Sequence, residues 1–182
     1  MIKKFNLIQK FRNKIRIKND LNIEISKSAK IVGCTLSSKG KNNSFIVNDN
    51  AVLRNVNIEI LGDNCSIYIG KDCMIGDKCY LSAKEGSKLT ILDNCMLSRN
   101  IKIMTSDGHP IYQNEKRINF AKDITLKENV WVADNVTILK GVTVESDSII
   151  GINATLTKSI PSNTIAVGNP AKVVKTNVTW KE

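Results

Sequence analysis

The residues ITLKENVWVADNVTILKGVTV, at positions 124 to 144, repeat a short pattern every six positions. Most units place a small or branched residue, a polar residue and a second apolar residue ahead of three residues typical of turns. The first of these positions form one series: Ile124, Val130, Val136, Val142, Ser148, Ala154, Ile160 and Ala166. A second series begins two positions later: Leu126, Val132, Ile138, Val144, Ile150 and Leu156. Because an α-helix repeats every 3.6 residues, a period of six predicts very short strands joined by corners.

The same register recurs upstream, with a two-residue slip between Ser82 and Lys88. Fixed-period similarity is the signature of a solenoid, and a period of six is typical of a parallel β-helix. Three units close one triangular coil of about 18 residues, so residues 21–170 are predicted to form roughly eight coils. A chain of 182 residues is expected to be one domain, with a segment over 1–20 before the solenoid and a tail over 171–182 after it.

The segment over 1–20 is basic and amphipathic. The formal net charge of the chain is +10, and positions 1 to 18 contain basic residues but no acid. Four apolar residues lie three or four positions apart, which predicts a short helix with one apolar face: Phe5, Ile8, Phe11 and Ile15. Such a helix could contact an anionic membrane surface, or it could cap the end of the solenoid. No apolar run has the length of a signal peptide core or a membrane span, so we expect a cytoplasmic location. Contact with the inner face of the membrane stays an alternative.

The five cysteines form no CxxC pair, so neither a disulfide framework nor a thiolate zinc site is predicted. Cys73, Cys79 and Cys95 occupy positions of the repeat that point into the solenoid. A thiol in such a place behaves as a small apolar group. We therefore expect these cysteines to be part of the core and to have no chemical role.

The repeat stops between Ile103 and Ile124, which predicts that residues 104–123 form a loop that leaves the solenoid. A glycine and a proline flank His109, the one histidine of the chain, at a bend that no strand ladder would tolerate. A lone histidine is usually a surface or structural residue. A histidine displayed on a protruding loop is also a candidate general base.

The chain from this histidine onward resembles a known family. The resemblance is carried by HPI at 109–111, NVWVA at 129–133, GVT at 141–143, IG at 150–151, TK at 157–158 and GNPAK at 168–172. These motifs resemble the maltose and galactoside O-acetyltransferases, and equally the O-acetyltransferases of capsular polysaccharide and sialic acid. The family implies a left-handed β-helix, although crossover connections are usually right-handed. It also implies direct transfer of an acetyl group from acetyl-CoA to a saccharide hydroxyl, without a metal.

Four residues are candidates for this site, and the resemblance gives the roles of two of them, His109 and Trp131. His109 would be the general base, and an imidazole, whose pKa lies near 6.5, suits a step worth about 10² to 10⁴ in rate. Asp107 could fix the tautomer of that ring, or it could only form the turn Ser-Asp-Gly. Trp131 would line the acceptor or thioester site, although a tryptophan there could simply cover an apolar patch. Arg117 could bind the carboxylate of an acidic sugar, or it could be a solvated loop residue.

The resemblance also places acetyl-CoA. Its phosphates need cations, and three lysines are expected along them: Lys158, Lys172 and Lys175. Thr157 would lie beside the pantetheine arm. Asp134 and Ile152, which would also line the cofactor, depart from the family pattern, where small residues are usual. Because active sites of this family lie between neighbouring solenoids, the resemblance implies a homotrimer.

Several other functions fit parts of the pattern. Acetyl transfer to the amine of an amino sugar or a nucleotide sugar remains the main alternative, since it uses the same fold and donor. A γ-class carbonic anhydrase needs three histidines for each zinc ion, and the chain has one. A serine acetyltransferase would carry a large helical N-terminal domain, for which the short segment over 1–20 leaves no room. A pure scaffold would not need the protruding loop, and the chain lacks the interleaved aromatics of a nucleic-acid-binding surface.

Overall fold

This chain turns at short intervals. At many of these corners an asparagine or aspartate adopts a positive φ. Such backbone angles are tolerated by asparagine and aspartate far better than by branched residues. In the C-terminal half they occur at Asn129, Asn135, Asp147, Asn153 and Asn163. The computed structural model describes residues 12–181. In it, these corners fold the chain into a left-handed parallel β-helix. The fold that the resemblance predicts is therefore confirmed.

Three parallel sheets form the sides of the triangular solenoid, with strands numbered in chain order. Side 1 contains β1 (Lys14–Lys18), β4 (Thr35–Lys39), β7 (Asn57–Leu61), β10 (Tyr80–Lys84), β13 (Lys102–Met104), β18 (Thr137–Leu139) and β21 (Thr155–Leu156). Side 2 contains β2 (Leu21–Ile25), β5 (Asn43–Val47), β8 (Ser66–Ile69), β11 (Lys88–Ile91), β16 (Ile124–Leu126) and β19 (Thr143–Val144). Side 3 contains β3 (Lys30–Val32), β6 (Val52–Arg54), β9 (Met74–Ile75), β12 (Met96–Leu97), β17 (Trp131–Val132), β20 (Ile149–Ile150) and β22 (Thr164–Val167).

Two elements depart from this parallel pattern. A small antiparallel hairpin, formed by β14 (Tyr112–Gln113) and β15 (Lys116–Arg117), lies within the loop between β13 and β16. The last strand, β23 (Lys172–Thr176), turns back and pairs antiparallel with β22 on side 3. No helix within residues 12–181 is long and apolar enough to cross a membrane.

The coils before the loop are longer than the hexapeptide period predicts. There, Nδ2 of Asn42 donates to Oδ1 of Asn64 at the same corner of the next coil, a separation of 22 residues. After the loop, Nδ2 of Asn129 donates to Oδ1 of Asp147 one coil further on, a separation of 18 residues. The expected coil of about 18 residues is therefore correct only for the C-terminal part. The solenoid makes about six turns instead of eight coils, because five-residue strands widen sides 1 and 2 of the earlier coils.

The helix predicted over 1–20 is wrong for Lys14–Lys18, which form β1 and pair in parallel with β4. Ile15 therefore packs against the core from a strand. The alternation Lys-Ile-Arg-Ile-Lys is the period-two pattern of a half-buried strand, which the apolar spacing over Phe5 to Ile15 obscured. Phe5, Ile8 and Phe11 lie outside the described residues.

The interior is one column of stacked apolar side chains. On side 1, Leu81, Ile103, Ile138 and Leu156 lie directly above one another, and each is completely buried. The inward positions predicted for Cys73, Cys79 and Cys95 are confirmed, and all five cysteines are buried and unbridged. Burial raises the pKa of the Cys79 thiol to about 11, so this thiol stays protonated at neutral pH.

Candidate active site

The loop leaves the solenoid at the corner between sides 1 and 2, after β13, and returns at β16. Beyond His109, the backbone N–H of Ile118 donates to the carbonyl oxygen of Ile111 at 2.9 Å and extends the hairpin. Asn114 and Glu115 form the hairpin tip with positive φ. The loop is therefore a folded element with its own hydrogen bonds.

His109 lies exposed on the segment that leads into the hairpin. Its carbonyl oxygen accepts a hydrogen bond from Nδ2 of Asn119 at 2.8 Å. Across residues 12–181, no group hydrogen-bonds to its imidazole, so both ring nitrogens are without a partner in the described chain. This is the arrangement that a general base acting on a bound hydroxyl needs.

Asn119 is the buried centre of the loop, with only 8% of its surface exposed. Its Nδ2 atom donates to His109 O and also to Oδ2 of Asp107, each at 2.8 Å. Its Oδ1 atom accepts from the backbone N–H of Ile111 at 2.5 Å. One side chain therefore connects three alternate residues of the bend that carries the histidine.

Asp107 connects the loop to the solenoid. Its Oδ2 atom accepts a hydrogen bond from the ammonium of Lys140, which follows β18 one coil beyond the loop. This ammonium, together with the amide of Asn119, holds the pKa of the Asp107 carboxyl below its usual range. The carboxylate has no bond to the His109 ring in the described chain. Its place in the structure is therefore at the base of the loop, between Asn119 and Lys140.

Arg117 forms the second anchor. Its Nη2 atom donates to Oε2 of Glu85 and to the carbonyl oxygen of Asn119, the latter at 3.1 Å. Its guanidinium carbon lies 4.8 Å from the ring centroid of Phe120. Glu85 also accepts from Ser106 at 2.7 Å, and these two bonds, with that of Ser106 the larger influence, lower the pKa of Glu85. The guanidinium predicted to bind an acidic sugar is thus engaged within the protein.

A surface groove of about 470 Å³ lies beneath the loop, along the corner between sides 1 and 2. It begins at Gly108, next to the histidine, and descends past Lys84 and Leu61 to Lys39. Nothing lies within 4 Å of where a Cβ on Gly108 would be, so the upper end of the groove is open. The groove provides room for an extended molecule that ends at Gly108, the residue before His109.

Trp131 lies on side 3, away from the loop. Its ring packs against Trp180 of the C-terminal tail, with centroids 5.9 Å apart and planes at 47°. Trp180 Nε1 donates to the carbonyl oxygen of Asn129 at 2.7 Å, which fixes the tail across the face of the solenoid. Both tryptophans of the chain therefore belong to one pair, half exposed on side 3.

The residues predicted to bind acetyl-CoA fall on several parts of the surface. Thr157 and Lys158 follow β21 at the corner from which the loop leaves, whereas Lys172 and Lys175 lie on β23 of side 3. All four are exposed. Within one chain, Lys172 and Lys175 on side 3 lie apart from the loop that carries His109, whereas Lys158 lies one coil beyond Lys140, which contacts that loop.

The two departures from the family pattern lie at the corner between sides 3 and 1. Asp134 pairs with Arg99 at 2.7 Å and also accepts the backbone N–H of Arg99, which lowers the pKa of the carboxyl. Ile152 is 60% exposed beside Gly151. Asp134 therefore connects two coils, and Ile152 presents an apolar side chain to the surface.

The sequence patterns do not identify three residues that hold the loop or the tail in place: Asn119, Lys140 and Trp180. No motif marks them, because each acts through a contact with a distant part of the chain. The role of a polar loop residue such as Asn119, which is nearly buried, becomes apparent only when the loop is folded. Among residues 12–181, no group of three or more histidine, cysteine or acidic side chains is arranged to hold a metal ion.

Comparison with known proteins gives consistent relatives, although no family model matches the chain. It is 32% identical over 181 residues to the polysialic acid O-acetyltransferase of Neisseria meningitidis, with 87% of this chain and 84% of the relative covered. It is 34% identical over 160 residues to the polysialic acid O-acetyltransferase of Escherichia coli O1:K1, with 87% of this chain covered. The chain spans only 44% of that relative's length. The crystal structure of the polysialic-acid-specific acetyltransferase NeuO matches with a TM-score of 0.73 and 32% identity, over 95% of this chain and 90% of that chain.

Proposed function

The chain belongs to the hexapeptide-repeat O-acetyltransferases, an enzyme family, and we propose that it transfers an acetyl group from acetyl-CoA to a hydroxyl of a saccharide. Membership follows from the identity to the relative from Neisseria meningitidis, and it confirms the resemblance to O-acetyltransferases of sialic acid. Because both curated relatives carry polysialic acid in their names, a sialic-acid-containing surface polysaccharide is the proposed acceptor. The observation that carries the proposal is the exposed His109, fixed by its backbone on a folded loop.

In the proposed reaction the imidazole of His109 takes the proton of the acceptor hydroxyl as that oxygen attacks the thioester carbonyl. The tetrahedral intermediate then breaks its carbon–sulfur bond, and the imidazolium returns the proton to the departing thiolate. The products are an acetyl ester and CoA. Because the His109 ring has no protein partner in the described chain, it is free to exchange this proton with substrate. Asp107 takes no part in this proton transfer. Its contribution is to hold the loop in position through its bond with Asn119.

Three exposed lysines suit the phosphates of acetyl-CoA, namely Lys158, Lys172 and Lys175. In the part of the chain that the structure describes, no acidic side chain pairs with them, so their ammonium groups are available to an anionic ligand. Thr157 adjoins Lys158, and Ile152 offers apolar surface for a pantetheine arm. Replacement of Lys158 by alanine is expected to raise KM for acetyl-CoA with little change in kcat, as steady-state kinetics would measure.

We propose that the active protein is a homotrimer. Side 3 carries one continuous column of outward apolar side chains, which run in register as Val52, Met74, Met96, Trp131, Ile149 and Ile165. Trp180 of the same chain packs on Trp131 in this column. An apolar stripe that continues over so many further coils is unusual on a free surface. His109 and Trp131 also lie on different faces of one chain, so they could serve one reaction only if a second copy supplied one of them.

The oligomeric state is tested by a charge placed in this column. Met96→Glu is expected to convert the trimer to monomers in sedimentation equilibrium, whereas Thr90→Glu, an outward position in the middle of side 2, should leave the trimer intact. A wild-type mass of one chain would overturn the trimer. Equal effects of the two substitutions would overturn the assignment of the interface to side 3.

We also propose that the protein acts in the cytoplasm, where its five unbridged thiols would stay reduced. The basic residues of the N-terminal segment would allow contact with the anionic inner face of the membrane. Fractionation of cells is the test. Recovery of the protein outside the cytoplasm and its membrane would overturn this location.

The catalytic proposal is tested with labelled acetyl-CoA and a panel of sialic acids, sialic acid polymers, neutral sugars and nucleotide sugars. His109→Ala is expected to lower kcat by about 10² to 10⁴, while Gln113→Ala, on the exposed hairpin of the same loop, serves as the matched control. Retention of kcat within about twofold in His109→Ala would overturn the proposal. Treatment of the product with hydroxylamine separates an ester, which is cleaved, from the amide that N-acetylation would give.

A further inference from the structure

We propose that Asn119 is a positioning residue, which sets the place of the His109 ring by holding the backbone on both sides of it. The proposal rests on the proposed role of His109 as the base. In the described chain, Asn119 makes no hydrogen bond to the imidazole, and it has no reactive group of its own. Its contribution would come entirely from the geometry of residues 107–111.

The side chain of Asn119 directs both of its donors and its carbonyl oxygen to this segment. A primary amide offers two N–H donors and one carbonyl acceptor. The donors go to Asp107 Oδ2 and to His109 O, each at 2.8 Å, and the acceptor receives the N–H of Ile111 at 2.5 Å. With 8% of its surface exposed, the amide has little competition from water. The three bonds fix the bend before, at and after the histidine.

Asn119 is itself fixed to the solenoid by two routes. Its partner Asp107 binds Lys140 of the next coil, and its own carbonyl oxygen accepts from Arg117 at 3.1 Å. Arg117 in turn binds Glu85 of an earlier coil. A continuous series of bonds therefore runs from two coils of the β-helix to the backbone of His109.

Asn119 supplies most of the side-chain hydrogen bonds to the backbone around His109. Beside it, the N–H of Gly108 donates to Ser106 Oγ at 3.2 Å. The position of the ring therefore depends chiefly on the Asn119 series. A general base that is misplaced by about 1 Å can lose about 10² in rate. A positioning role therefore predicts a loss in kcat without a matching loss of acetyl-CoA binding, since Asn119 bonds none of the residues proposed to bind the cofactor.

Asn119→Asp is the substitution that tests the positioning role most directly. It keeps the shape and the acceptor for Ile111 N, removes the bond to His109 O, and places a carboxylate against Asp107. We expect kcat to fall by about 10- to 100-fold, with KM for acetyl-CoA changed by less than about twofold. Asn114→Asp, the same change at the exposed tip of the same loop, is the matched control and should leave kcat unchanged.

A double-mutant cycle separates positioning from general damage to the fold. If Asn119 acts only through His109, then Asn119→Asp should cost nothing further in a His109→Ala background. Lys140→Met, a change at the solenoid end of the same series of bonds, should show the same non-additivity and remains informative if Asn119→Asp does not fold.

Each outcome of the cycle is decisive. Equal losses in both backgrounds, or full activity of Asn119→Asp, would overturn the positioning role while leaving His109 as the base. Full activity of His109→Ala would instead overturn the proposed function itself. The melting temperature by circular dichroism, measured for each variant, shows which losses come from unfolding.

Discussion

The pair formed by Trp131 and Trp180 makes a quantitative prediction about the C-terminal tail. Trp180→Leu removes the hydrogen bond to Asn129 O and the tilted ring contact. A hydrogen bond of this kind contributes about 1 kcal/mol and an aromatic pair about 1 kcal/mol. The local free energy that holds the tail should fall by about 2 kcal/mol, which raises the opening equilibrium about 30-fold.

Hydrogen exchange at the amide of Val178, which donates to Asn163 O at 3.0 Å, measures this opening directly. Its protection should fall about 30-fold in Trp180→Leu, whereas the amide of Trp131, bonded to Ser148 O inside the solenoid, should be unaffected. Tyr112→Leu, a change at an exposed aromatic side chain of the loop, is the control. A change of less than about threefold at Val178 would refute the reasoning that the tryptophan pair holds the tail.

Three further predictions concern the core and the loop. Ile103→Ala, at a completely buried position, should lower the free energy of unfolding by about 2–5 kcal/mol in urea titrations, and Ile17→Ala, at a position 38% exposed, should lower it by clearly less. The Cys79 thiol, with its pKa raised by burial to about 11, should react with a thiol reagent at pH 8 only after unfolding, and rapid labelling of the native protein would contradict this. Because Lys140 lowers the pKa of Asp107, the ionised carboxylate stabilises the loop above the ordinary aspartate pKa of about 3.9, and this stabilisation is lost as the pH falls through the lowered value. Pepsin should therefore cut the loop of Lys140→Met at a higher pH than that of the wild type, and identical pH profiles would count against the anchor.

The C-terminal coils could be predicted from the sequence because their determinants are local. Val130, Ile138 and Leu156 are completely buried, as the hexapeptide register requires. The longer upstream coils could not be predicted from the period alone, since their five-residue strands add residues within each side. The two-residue slip between Ser82 and Lys88 is the one sign of the longer coils in the sequence pattern. It falls at the corner where β10 extends to Lys84.

The supports of the candidate site were not predictable, because they join distant positions. Asn119 bonds Asp107 at a separation of 12 residues, Lys140 reaches Asp107 across 33, and Trp180 reaches Asn129 across 51. A periodic pattern describes neighbours within a coil and neighbours between coils. It carries no information about which polar side chain will close a loop or fix a tail.

The strand β1 is the last strand of side 1 within the described chain, and its outward side chains are Lys14, Arg16 and Lys18. An unpaired strand edge is a template on which another β-structure can grow. Two copies that met through this edge would bring three pairs of like charges to a strand spacing of about 4.8 Å. Repulsion between these cations therefore opposes pairing of β1 with the β1 strand of a second copy.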